Sequence, residues 1–163
     1  MMEIYHFVTN WNLKAPIERV WQKIVDVEAY PDLWSGIKRA TIRGPEPKVQ
    51  IGSVVDFALK GSLPMLLNFS TEFITFQPPN LIELKSSGDL MGHGKIVLRC
   101  QDVATEVTFY WDVGLTNPLL NLLGKVPFIK SIMEKSHNEV MAIAYGILKS
   151  SLEGHDITAP SKK

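Results

Sequence analysis

The chain has 163 residues, 45% of them hydrophobic and 21% charged, which fits one folded domain and excludes a disordered chain. Lys plus Arg and Asp plus Glu both number 17, so no global charge draws the protein to phosphate backbones or anionic lipid, and nucleic acid is not expected as a partner. Cys100 is the only cysteine, which excludes an internal disulfide. With neither a signal-peptide start nor an apolar run of about 18 residues, a cytoplasmic protein without a transmembrane segment is expected.

The first segment, IYHFVTNWNL, puts Phe7, Trp11 and Leu13 on one alternating phase and His6, Asn10 and Asn12 on the other, the pattern of a strand with one wet face. Pro16 stands where a helix start tolerates it, and Ile17, Val20, Trp21 and Ile24 follow at helical spacing. Asp26 and Pro31 interrupt that spacing, and Tyr30 to Trp34 makes one more turn before IKRATIRG resumes as a strand. Two short helices therefore separate the first two strands.

GPEPKVQIG has the Gly and Pro content of a hairpin connection, and in SVVDFALKG the residues Val55, Phe57 and Leu59 alternate with Asp56 and Lys60. GSLPMLLN reads as an apolar loop. FSTEFITF, LIELKSSG, DLMGHGKIVLRC and EVTFYWDVGL follow as strands joined by short polar turns, which implies an antiparallel meander. Cys100 falls on an apolar strand phase and is expected to be a small buried residue.

TNPLLNLLGKVPFIK is an apolar connection interrupted by Pro and Gly. A long helix runs from about Pro127 to Leu152, with Ile129, Ile132, Met133, Val140, Ile143, Ala144 and Ile147 grouped on its expected buried face. Residues 1–152 then form one domain and 153–163 a polar tail. A twisted antiparallel sheet must cover its apolar face, and this helix is the element long enough to do it.

The segments W-x-L-x-A-P-I-E-R-V-W (Trp11 to Trp21), Y-P-x-L-W from Tyr30, Pro78-Pro79, S-G-D-L-x-G-x-G (Ser87 to Gly94), T-x-V-T-x-Y-W (Thr105 to Trp111) and H-N-x-x-M (His137 to Met141) occur in that order. Together they span most of the chain, which resembles the START-like superfamily, also called SRPBCC or helix-grip, and within it the polyketide cyclase/dehydrase-like branch. The resemblance implies an α+β fold in which a curved, seven-stranded antiparallel sheet wraps around the C-terminal helix, with the two short helices between strands 1 and 2. It also implies a deep, mostly apolar cavity for a lipid, polyketide or quinone-like molecule, serving for binding or transport. The alternative is a cyclase, dehydratase or aromatase that holds a polyketide-like chain in a reactive shape.

On this reading the expected cavity wall comprises Trp34, Phe57, Leu59, Phe73, Leu84, Ile96, Leu98, Phe109, Trp111, Met133, His137 and Met141, although a packed core would use the same residues. Trp34 either lines or plugs the cavity, and Trp21 packs as core beneath the end of the long helix. Met65, Leu66, Leu119 and Leu120, with Leu67, Leu122 and Leu123, form two apolar loops expected at the cavity mouth as a gate, or as a contact with a second copy, another protein or a membrane surface. Monomer and homodimer both remain open.

His137, at the edge of the helix's apolar face, is the one candidate base; a structural role competes with it. His93 lies between two glycines and can reach either face, while Asp56 and Asp112 fall on the outward phase. His6, His93, His137 and His155 lack metal-ligand spacing, and GDLMGHGK lacks the phosphate-loop ending, so no metal and no cofactor are expected.

Overall fold

The computed structural model describes residues 2–61, 65–123 and 127–153. In chain order it contains β1 (Ile4–Leu13), α1 (Ile17–Val25), a single 3-10 turn (Val27–Ala29), α2 (Tyr30–Leu33), β2 (Ile37–Ile42), β3 (Val54–Leu59), β4 (Leu67–Gln77), β5 (Leu81–Gly88), β6 (Leu90–Gln101), β7 (Ala104–Leu115), α3 (Pro118–Leu123) and α4 (Pro127–Glu153). The seven strands form one antiparallel sheet in the order β1-β7-β6-β5-β4-β3-β2. From β2 to β7 every strand pairs with its successor, as short hairpin turns allow. The sheet is the α+β helix-grip arrangement, with two short helices between β1 and β2 and the long helix at the end.

The alternation of each strand selects its concave face. On β7, Val107, Phe109 and Val113 are buried while Tyr110 is exposed; on β4, Leu67, Phe69, Thr71 and Phe73 are buried. Register shifts between Ile37 and Arg39 on β2, and between Phe73 and Thr75 on β4, insert extra residues into one strand of a pair. Such irregularities bend a sheet and increase its twist.

The first helix buries Ile17, Val20, Trp21 and Ile24, and both α1 and α2 contact α4. Three polar ties fix this end. The Lys14 amide donates to Glu153 Oε2 at 2.7 Å, the Tyr145 hydroxyl donates to the Asn12 carbonyl at 2.8 Å, and the buried Thr105 hydroxyl donates to the Ala15 carbonyl at 2.8 Å. The amide donated by Lys14 is the main cause that holds the Glu153 carboxyl below its ordinary range, with Lys149 adding to it.

Three expectations need correction. Cys100 is exposed: it continues the inward phase of Leu98, and its partner Thr105 on β7 is buried, but β5 pairs with β6 only as far as Val97, so Cys100 has a neighbouring strand on one side alone. Ile143 and Ile147 are exposed, because the buried stripe of α4 runs through Met141, Ala144, Leu148 and Leu152. That spacing of three and four residues also holds one face of a helix, and Ala144, with no exposure at all, permits the closer approach on that side. Leu67 is not in a loop but opens β4, and NPLLNLL contains the short helix α3. The tail expected from residue 153 onward lies outside the described residues except for Glu153 itself, which ends α4.

Candidate functional site

Between the concave face and α4 lies a cavity of about 220 Å³. Its wall draws on the sheet from β2 to β7, on the α1–α2 region and on α4. Of the twelve wall residues expected from the sequence, ten line it: Trp34, Phe57, Leu59, Phe73, Leu84, Ile96, Phe109, Trp111, His137 and Met141. Leu98 is fully buried outside the lining, opposite Val107. Met133 packs against the core outside it as well.

Sequence periodicity missed Ile24, Val27 and Tyr30, because a helical turn shows which side is apolar without showing what lies across from it. It also missed Phe69 and Thr71, although both share the strand phase of Phe73 that was in view. Another missed element is Gly94, the partner of Trp111 across β6 and β7. A Cβ at Gly94 would stand 2.5 Å from Cε3 and Cζ3 of Trp111. The absence of a side chain there is what lets the indole lie across the strand.

The wall is largely aromatic. The Trp34 ring lies 5.7 Å from that of Trp11, 5.8 Å from Tyr30 and 5.9 Å from Phe109, centroid to centroid. Tyr30 and Phe57 stack at 6.2 Å, and Phe57 stacks on Phe69 at 5.2 Å. Edge and offset contacts of this kind fix ring orientation beyond simple area burial. The Tyr30 hydroxyl donates to the Ile24 carbonyl, and burial followed by the Asp26 charge raises its pKa far above the ordinary phenol value. Tyr30 is therefore a neutral structural donor and offers no base.

Two polar atoms on residues of this wall lack partners: Trp34 Nε1 and His137 Nδ1 are both buried without a hydrogen bond among the described residues. The His137 ring stacks on Phe7 at 3.9 Å with an interplanar angle of 12°. Burial is the main influence on its pKa and pushes it below the ordinary value of 6.5, with the Asn138 side chain opposing. Among the described residues no Asp, Glu or Arg lines the cavity, so the histidine has no carboxylate there to orient it.

This depressed pKa has a sign that can be tested. Below about pH 6.5 the unfolded histidine takes up a proton that the folded one resists, so stability falls as pH drops through that window. The variant His137→Gln should lose less in melting temperature between pH 7.5 and about pH 5 than the parent protein does. Equal losses in the two proteins would show that His137 is not held neutral by its surroundings.

The other candidates lie elsewhere. His93 is on the outer face, paired with Asp112 across β6–β7, and Asp112 accepts from His6 Nδ1 at 2.8 Å. Asp56 is bound by Arg43 at 2.8 Å and by Ser70 at 2.6 Å; the guanidinium is the first cause that keeps its carboxyl below the ordinary range. Met65, Leu66, Leu119 and Leu122 are exposed, whereas Leu120 is buried in the core. None of these five lines the cavity. A second hollow of about 510 Å³, lined by Trp21, Gln22, Asp26, Glu28 and Lys48 among others, is of mixed polarity. No group of three metal-ligating side chains is found among the described residues, and no helix among them is long and apolar enough to cross a membrane.

A curved seven-stranded sheet closed by a C-terminal helix over an aromatic cavity defines the START-like, or helix-grip, fold. Solved structures share it across nearly the whole chain. The Zhui aromatase/cyclase from Streptomyces sp. R1128 is 13% identical, with 91% of this chain and 95% of that one covered and a TM-score of 0.69. Ginseng major latex-like protein 151 from Panax ginseng is 11% identical, with 92% and 98% covered and a TM-score of 0.64. Protein Ms6760 from Mycobacterium smegmatis is 14% identical, with 92% of each chain covered and a TM-score of 0.63. At these identities the likeness is one of fold. No family model and no curated protein matches the sequence.

Proposed function

We propose that this protein binds a hydrophobic small molecule between the sheet and α4, as a carrier or binding protein. The observation that carries the reading is the cavity itself, walled by Trp34, Phe57, Phe109 and Trp111. Apolar walls with sparse orienting groups are what small-molecule sites in general offer. The fold shared with an aromatase/cyclase supports a second reading, a polyketide cyclase/dehydrase-like activity, and the place of His137 on the wall favours it. A neutral imidazole there would serve as the base. The lack of a carboxylate partner for it among the lining residues favours binding over turnover.

Native mass spectrometry of freshly purified protein, followed by organic extraction, tests the binding reading. A copurifying hydrophobic molecule is expected. Ile96→Trp, which puts a larger side chain on the cavity wall, should weaken that binding by roughly tenfold or more while the fold persists. Undiminished binding in this variant would place the ligand elsewhere.

A further inference from the structure

We propose that the first half of α4, residues 128–140, opens away from the sheet by local unfolding and so admits the ligand, while residues 141–152 stay docked. This inference rests on the binding reading above and adds to it the route of entry. Its first support is burial. No residue from 128 to 140 is buried, and the inward positions Ile129, Met133, His137 and Val140 are only half-buried. In the second half Met141, Ala144, Leu148 and Leu152 are all buried. Burial of an apolar face is what holds a helix in place within a protein, so the first half is held more weakly than the second.

The second support is where the helix is tied. Tyr145 donates to the Asn12 carbonyl, and Glu153 accepts from the Lys14 amide. Both bonds fall in the second half. Among the described residues, no hydrogen bond or ion pair joins residues 128–140 to another element. His137 meets Phe7 by ring stacking alone. Segments with few buried apolar contacts and no such ties open at the least cost in free energy, independently of the rest of the fold.

The third support is position. Of the three α4 residues on the cavity wall, His137 and Val140 belong to the first half, and Met141 stands at its boundary. Lifting residues 128–140 therefore uncovers the cavity and leaves the contacts of Ala144 and Leu148 intact.

Hydrogen exchange of the intact protein, read by mass spectrometry, tests the opening without any ligand. Amides of residues 132–140, beyond the first turn, are expected to exchange at least about tenfold faster than those of residues 141–149. Equal exchange in the two halves would overturn the proposal. A covalent staple tests the route. A Cβ at Gly61 would stand 3.8 Å from Ser136 Oγ, within reach of a disulfide, whose Cβ atoms lie about 3.5–4.5 Å apart. The variant combines Gly61→Cys and Ser136→Cys with Cys100→Ser, so that no third thiol competes. Its oxidised form should take up 2-naphthol at least about tenfold more slowly than its reduced form, with the equilibrium affinity within about twofold. Stopped-flow quenching of tryptophan fluorescence follows the uptake, since Trp34 and Trp111 stand on the wall. Equally fast uptake with the bridge closed would overturn the route through α4. Failure of 2-naphthol to bind the parent protein would overturn the binding reading, and hydrogen exchange would still decide the opening. Hydrogen exchange also decides if the bridge does not form.

Discussion

Replacement of Trp21 by alanine is expected to lower the stability of the fold by about 3–5 kcal/mol, the cost of deleting a large buried aromatic ring. Trp21 is 7% exposed, and its ring lies 5.4 Å from that of Phe76, which meets Phe73 at 6.0 Å. The same helix face carries Ile17, Val20 and Ile24, and Trp21 packs between α1 and the sheet beside Phe76, where it also lines the second hollow. Urea titration should show a lower midpoint with an unchanged slope. Trp21 is outside the cavity lining, so the folded fraction should retain its ligand affinity. A loss below about 1 kcal/mol would mean that α1 is not part of the cooperative core.

Gly94→Ala is expected to weaken cavity binding by about tenfold or more and to cost about 1–3 kcal/mol of stability, although it adds one methyl group. The new Cβ would stand 2.5 Å from two ring carbons of Trp111, with Leu84 Cβ at 3.6 Å on the other side. An indole is stiff, so the ring has to turn as a unit, and the space next to it is the cavity. Titration with a bound probe, alongside a denaturation curve, checks both effects. Unchanged affinity would show that the position of the Trp111 ring does not shape the site.

Much of this architecture was legible in the sequence because it rests on alternation. The strand phases of Phe57, Phe109 and Trp111 followed from their spacing, and so did the helical set Ile17, Val20, Trp21 and Ile24. What escaped depends on relations across the chain. Cys100 has the right phase but lies past Val97, where β5 stops pairing with β6, which only the register reveals. Ile143 and Ile147 belong to a stripe as apolar as the buried one, and the choice between the stripes was made by small Ala144 and by Tyr145 reaching the Asn12 carbonyl. The hollow itself is invisible to periodicity, since Leu98 and Ile96 share one phase while only Ile96 lines the cavity. The Gly94–Trp111 contact left a trace as G-H-G, yet its meaning needed the pairing of β6 with β7.

The pairing of β1 with β7, from Ile4 opposite Gly114 to Leu13 opposite Thr105, also sets an order of events during synthesis. Within this sheet β1 leaves the ribosome before the other strands and has no partner until β7 follows it, and the helix that covers the sheet comes later still. Contacts so distant along the chain fold slowly, because a long loop must close before it is rewarded. Until then the apolar phase of β1 and the open face of the meander are surfaces that chaperones or other nascent chains can hold. The cavity is thus among the last features to be completed, and a ligand present at that moment would pull the final closure of α4 forward by mass action.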